Sequence, residues 1–289
     1  MFKNKIMFSS GSNATSLIAS RINIKAVLLM LVMMFVGFGV FGGSVFAAEY
    51  PEGRAVFTDG HNVQLEFKLA SDSIPDGGSL AYVHTDHKIK SIKRSSTIDP
   101  SKQTEDHLIS DASSDIPIYF WFEEDGGTVT YQEYNYSTNQ YEDITVNTGN
   151  IYWYTTDPNP ILNEDASYMF SKFQSATEID TSDFDLSYVK SLGFCFDGCS
   201  SLASINVDNW VTPSYTNALD LVFRDCSSIT ELDLSTWNTS NAGNMTGIFY
   251  GMTNLKTLYV SAGSFERACM NRPVHIHISG LMFLKQCRQ

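Results

Sequence analysis

The sequence predicts an α/β fold: a β-rich N-terminal region, then a short repeat solenoid in which each repeat supplies one strand and one helical turn. Three observations carry this expectation. A phenylalanine recurs at an almost constant interval, as Phe170, Phe196, Phe223 and Phe249. Apolar columns keep step with it on both sides. Upstream of the repeats, short stretches alternate apolar and polar residues between turn-forming clusters, the period of half-buried strands.

Residues 1–47 read as a secretory signal peptide. Lys3, Lys5, Arg21 and Lys25 come first, with no acidic residue, followed by the apolar run Ala26 to Phe41 and the small-residue site Val45-Phe46-Ala47. An uncleaved membrane anchor is the competing reading, because the run can be extended to Phe46, just past the ~20 residues that span a bilayer. Removing the four cations takes the net charge from −13 to −17. So acidic a chain is repelled by phosphate backbones, which argues against nucleic acid as a partner.

Residues 48–160 form the β-rich region. Val63 to Leu69 alternates apolar and polar and is predicted to be a strand. Ile118 to Glu123 and Thr128 to Tyr134 are predicted to be the arms of a hairpin turning at Asp125-Gly126-Gly127. Ile151 to Thr155 is one more short strand, ended by Asp157-Pro158-Asn159-Pro160, and Ser95 to Ser114 reads as a loop.

Residues 161–260 hold the repeats, with a period of 26–27. Around the shared Phe, one column holds Leu192, Leu219 and Met245, and another holds Phe173, Cys199, Cys226 and Met252. Further columns hold Ala176, Leu202, Ile229 and Leu255, then Phe184, Trp210 and Trp237. Met245, Phe249 and Met252 share one face of a helical turn, while Leu232 and Leu234 share one face of a strand. No such unit buries its apolar face alone, so stacking is required, and the period lies within that of leucine-rich-type repeats. The predicted repeat core is Phe170, Phe196, Cys199, Leu202, Phe223, Cys226, Phe249 and Met252. From 261 to 289 the register is lost: His275 stands where another Phe is due, and the tail turns basic. It reads as a divergent cap or a frame-shifted end.

The stretches Cys226 to Ser261 and Cys195 to Leu202 resemble the BspA-type leucine-rich repeat surface proteins of bacteria, and Ile118 to Phe170 is similar to the piece that precedes their repeats. The resemblance implies a secreted or cell-surface protein that mediates adhesion or protein binding, with no catalytic residues in the repeats.

Chemistry-bearing residues are few. Cys199 and Cys226 share a column, so a disulfide, a metal site and a buried apolar role all stand, and the Phe and Met of that column favour the last. His84 with His87, and His275 with His277, lack metal-site spacing. Glu123-Glu124, Glu164-Asp165 and Asp183 with Asp185 are pairs that an acidic chain generates freely. No phosphate-binding loop, nucleophile elbow or dinucleotide fingerprint occurs, and no cofactor, metal or catalytic residue is assigned. Phe184, Trp210 and Trp237 form either an exposed aromatic ladder for a partner or an internal stack. Tyr131, Tyr134, Tyr136 and Tyr141 resemble a binding surface, or line the outer face of a hairpin.

The expected function is therefore that of a secreted or cell-surface interaction protein, not an enzyme. It would bind protein on host or bacterial surfaces through the repeats and meet membrane only through an uncleaved signal segment. The alternatives are an architectural spacer with self-association, a truncated fragment without function, and a secreted hydrolase with its site in 48–160.

Overall fold

The computed structural model describes residues 50–73, 84–207, 210, 212, 218–239 and 242–261, and the backbone of 274–278 and 281–285. Every described residue belongs to the unit 48–289. The predicted signal peptide lies outside the described residues.

The first helix, α1 (Gly60–Ala70), replaces the strand predicted over Val63 to Leu69. Its buried residues are Gly60, Val63, Gln64, Phe67 and Lys68, a spacing of three and four that belongs to a helix. The Asp59 carboxylate caps it by accepting from the Asn62 amide at 3.1 Å. The apolar–polar alternation here is incidental, because Leu65 and Leu69 lie on the less buried flank.

Four strands make the first sheet, in the order β2-β3-β1-β4. They are β1 (Ile89–Arg94), β2 (Tyr119–Asn135), β3 (Gln140–Tyr154) and β4 (Glu178–Ile179). β2 and β3 are antiparallel, while β1 lies parallel to β3 and β4. Two short 3-10 helices, Pro100–Lys102 and Glu105–His107, interrupt the loop predicted over 95–114.

The hairpin turn falls at 136–139, not at Asp125-Gly126-Gly127. Glu124 pairs with Gly149 and Thr128 with Asn147, so Asp125, Gly126 and Gly127 of β2 stand against Thr148 alone, in a bulge. The Asp125 carboxylate stabilises it by accepting from the Gly127 amide at 2.8 Å and the Thr148 hydroxyl at 2.7 Å. Gly126 takes the left-handed φ of 75° that the bulge needs.

In the repeats, the residues two before and two after the shared Phe are left-handed. Tyr168, Phe194, Leu221 and Gly247 have φ of 64°, 60°, 55° and 62°, and Lys172, Gly198, Asp225 and Gly251 have 65°, 75°, 58° and 74°. Each segment is thus a chain of tight turns. Ser171 N–H bonds Tyr168 O at 2.8 Å, Asp197 N–H bonds Phe194 O at 3.1 Å, and Tyr250 N–H bonds Gly247 O at 2.9 Å. The intervening amides donate to the next segment: Phe170 to Cys195 O (2.8 Å), Phe196 to Val222 O (2.9 Å) and Phe223 to Ile248 O (3.0 Å). With alternate N–H groups committed to a neighbour, the i to i−4 ladder of an α-helix cannot form.

This overturns the predicted α/β solenoid with a helical turn per repeat. Strand outweighs helix and the sheets are mixed. Among the described residues the one α-helix, α1, lies outside the repeats. Met245, Phe249 and Met252 are buried together through successive turns rather than on a helix face.

A second sheet runs β5 (Glu231–Leu234), β6 (Thr257–Val260), β7 (Val274–Ile278) and β8 (Leu281–Lys285), parallel except for β8. Leu232 and Leu234 are buried on one face, as their alternation predicts. Glu231 pairs with Thr257, one full repeat further along, but Thr257 pairs with His275, well short of a full repeat. The backbone of the tail therefore joins the sheet by a shorter return than the repeats use. One hydrophobic core runs from Phe57, Phe67 and Trp153 through Phe170, Phe196, Phe223 and Phe249.

Candidate interaction surface

The side chains singled out in the repeats are interior. Phe170 stacks on Phe196 at 5.4 Å between ring centroids, Phe196 on Phe223 at 5.5 Å, and Phe223 on Phe249 at 6.4 Å. Trp210 stacks on Trp237 at 6.1 Å and is tilted against Phe184 at 6.3 Å. Phe184 is 7%, Trp210 0% and Trp237 1% exposed, so no ring of this ladder is offered to a partner. Leu202 and Met252 are buried beside them. The Trp210 indole donates to Thr181 O at 3.0 Å, which satisfies its one polar atom inside.

Cys195, Cys199 and Cys226 are free and buried. The Cys199 thiol donates to Phe170 O at 3.0 Å and that of Cys226 to Phe196 O at 3.1 Å, in each case one segment back. Burial pushes the Cys199 thiol up to about 12 and holds those of Cys195 and Cys226 well above the ordinary thiol range. They are protonated hydrophobes, neither bridged nor reactive. No group of three or more His, Cys, Asp or Glu among the described residues is arranged to hold a metal.

The paired carboxylates are tied into separate structural contacts. Asp183 pairs with Arg94 at 2.8 Å, Glu164 with Lys190 at 2.6 Å, and Asp185 with Arg54 at 3.4 Å. A shallow cavity of about 550 Å³ lies beside Arg54, Asp157, Phe184 and Asp185. Arg54 lies between the two carboxylates, 2.8 Å from Asp157 and 3.4 Å from Asp185, so the cavity's charges are tied into a structural ion-pair network.

Sequence reasoning missed Lys68, which is fully buried. Its ammonium donates to His84 O at 2.7 Å and lies 5.3 Å from the Phe173 ring centre. Burial, opposed by Asp86, brings it down to about 7. Asp86 is itself buried and accepts from the Ile89 amide at 2.7 Å and from the hydroxyls of Ser71 and Ser73. A Lys on the inward face of α1 was the available signal, hidden by the strand reading.

The exposed element is the distal half of the β2–β3 ribbon. Beyond the bulge, β2 pairs only with β3 among the described residues, and Gln140–Asn147 pair only with β2, because β1 takes up Gly149–Trp153. Two faces follow from the register. One carries Thr130 opposite Thr145, their hydroxyls 2.8 Å apart, Gln132 opposite Asp143, and Tyr134 opposite Tyr141. The other carries Val129 opposite Val146, Tyr131 opposite Ile144, and Glu133 opposite Glu142. His87 stacks on Tyr131 at 3.7 Å and braces the ribbon near its root.

At the tip, Tyr134 meets Tyr136 edge-on at 5.1 Å and Tyr141 at 5.2 Å, forming an open aromatic cluster. Tyr136 is 86% and Tyr141 69% exposed, and with Tyr134 they are three of the four exposed large hydrophobic side chains among the described residues. These are residues the sequence marks by composition; Tyr131, read with them, is half-buried under His87 instead.

Residues 164–265 match the family model described as "Mycoplasma protein of unknown function, DUF285", which spans the stacked turns and stops short of the ribbon. No leucine-rich repeat family is identified. No curated protein and no solved structure matches significantly. Among the described residues no helix is long and apolar enough to cross a membrane. The chain is thus similar, over about a third of its length, to a family whose description assigns no activity.

Proposed function

We propose that this chain is an exported, non-enzymatic interaction protein. In this reading the stacked turns are a rigid support and the β2–β3 ribbon carries the contact. The observation that carries the proposal is the solvent-exposed cluster of Tyr134, Tyr136 and Tyr141 at the end of a ribbon whose two edges are unpaired among the described residues. Tyrosine supplies large contact area at low entropic cost and is enriched in binding surfaces. The signal-like pattern of 1–47 and the resemblance of 118–260 to BspA-type surface proteins support a place outside the cell. The burial of Phe184, Trp210 and Trp237 removes those rings as contacts, and this reading places the contact on the ribbon instead.

The test is retention of the full chain on intact cell surfaces, comparing wild type with a Tyr134→Ser, Tyr136→Ser, Tyr141→Ser variant of unchanged unfolding midpoint. Hot-spot aromatics of this kind carry about 2 kcal/mol or more each, so retention should fall at least about tenfold. Equal retention of the two proteins would overturn the proposal.

A further inference from the structure

The ribbon's charges specify the chemistry of what it binds. Between Gln103 and Ser171 the chain contains no Lys or Arg, while β2 and β3 carry Glu123, Glu124, Asp125, Glu133, Glu142 and Asp143. Some of these are satisfied locally. Asp125 holds the bulge, Glu123 accepts from the Trp121 indole at 2.7 Å, and Glu124 accepts from Asn147 at 3.3 Å.

The distal pair is different. Glu133 stands directly opposite Glu142 in the ladder, and no ion pair to either side chain occurs among the described residues. Like charges at opposed cross-strand positions destabilise a hairpin. Glu142 accepts from Asn135 at 2.9 Å and Thr138 at 3.0 Å, neutral donors that leave its charge in place. Here, then, is a repulsive pair on one face of an exposed ribbon, with the Tyr134–Tyr141 pair on the other face and two backbone edges that are unpaired among the described residues.

An unpaired strand edge is a template for another chain. A second copy of this protein is a poor occupant, since its ribbon would bring the same acids against these. A Lys/Arg-rich strand added along an edge alternates its side chains between the two faces, so it relieves the Glu133–Glu142 repulsion on one and meets Asp143, Tyr134 and Tyr141 on the other. From this we infer that the β2–β3 ribbon is the docking site of a cationic polypeptide segment of a partner protein. The inference rests on the interaction reading proposed above and adds the partner's charge to it.

The experiment uses the full chain and three fluorescent peptides of one length and one aromatic content, bearing Lys/Arg, Gln/Asn or Glu/Asp at the same positions. Binding is read by anisotropy at low and high salt. The cationic peptide should bind at least about tenfold more tightly than the neutral one and weaken as salt rises. A Glu133→Gln, Glu142→Gln, Asp143→Asn variant should lose most of that preference, and the Tyr134→Ser, Tyr136→Ser, Tyr141→Ser variant should weaken binding at every salt concentration. If the neutral or anionic peptide binds as tightly, and the tyrosine variant loses it, the charge inference fails and the ribbon remains a contact surface. If no peptide shows ribbon-dependent binding, or size measurements show self-association through the ribbon, both readings fail. The triple acid variant keeps the fold in view, since it removes a repulsion and should leave the unfolding midpoint equal or raised.

Discussion

Alanine at Gly247 and Gly251 separates stacked left-handed turns from stacked helical turns by the sign of its effect. Were 245–252 helical, each Gly→Ala change would stabilise the chain by about 0.8–1.0 kcal/mol. In the observed turns both glycines have left-handed φ, 62° and 74°. An L-residue there costs about 1–2 kcal/mol, offset by about 0.4–1 kcal/mol from the reduced freedom of the unfolded chain. The two sites then diverge. A Cβ at Gly247 meets the Leu221 side chain at 2.7 Å, a methyl end that is able to move, so the net loss should be about 1 kcal/mol. At Gly251 it overlaps Asp225 Oδ1 and lies 3.0 Å from the Asp225 Cα, which is backbone. Turning the carboxylate away relieves the first contact and not the second, so a loss of about 2–4 kcal/mol is expected. Urea unfolding followed by far-UV circular dichroism measures both, with the m-value checking that the unfolded state is unchanged. In an Asp225→Gly background the Gly251→Ala loss should shrink, because the carboxylate is gone. A gain in stability from either alanine would refute the turn geometry and restore the helical reading.

Three further outcomes are expected. Lys68 has its folded-state proton affinity lowered from 10.5 to about 7, so between those values the unfolded chain binds the extra proton. Stability should therefore rise with pH across that window, by at most about 1.4 kcal/mol per pH unit from this group, and Lys68→Met should flatten the slope of unfolding free energy against pH. In a Cys269→Ser, Cys287→Ser background, Cys195, Cys199 and Cys226 should stay unlabelled by a thiol reagent until denaturant unfolds the chain; fast labelling of the native protein would contradict their burial. Trp210→Ala should cost about 3–5 kcal/mol in urea unfolding, because it empties a fully enclosed site between Phe184, Phe196 and Trp237.

The repeat register was fully legible because stacking demands one residue type at one depth in every segment: the Phe column and the Phe184, Trp210, Trp237 column reappear as stacked rings. What a periodic column does not encode is backbone handedness. Met245, Phe249 and Met252 suit a helix by spacing, and the contrary signal lay in Gly198, Gly247 and Gly251, which occupy the left-handed positions two away from Phe. The same columns hold Leu221, Lys172 and Asp225, which hides the pattern. Asp125-Gly126-Gly127 misleads in the opposite sense, since a bulge and a turn ask for the same residues. Only the longer pairing from Thr128 to Asn135 against Gln140 to Asn147 decides between them. In the ribbon, the four tyrosines were visible by composition. The opposition of Glu133 and Glu142 was not, because it depends on a register set by the turn at 136–139.

Across the turns around each shared Phe, the backbone bonds between segments run one way, from amides of one to carbonyls of the next, so these peptide dipoles add instead of cancelling. The first segment therefore presents an outward row of carbonyls, the negative pole of the stack. Against it lies the N-terminus of α1, the positive pole of a helix. Gly60 N–H reaches Asp165 O at 2.8 Å, and Gln64, one turn further on, donates to Ser171 O at 2.5 Å. Asp165 and Ser171 are the counterparts, one repeat earlier, of Ser191 and Asp197, whose carbonyls accept from the segment before them. The helix thus stands where a preceding segment would stand, and two elements, each with unmatched backbone groups at one end, complete each other. Gly60 is required at that junction because a Cβ would overlap the Ser167 carbonyl oxygen and sit 2.7 Å from the Ala166 carbonyl carbon.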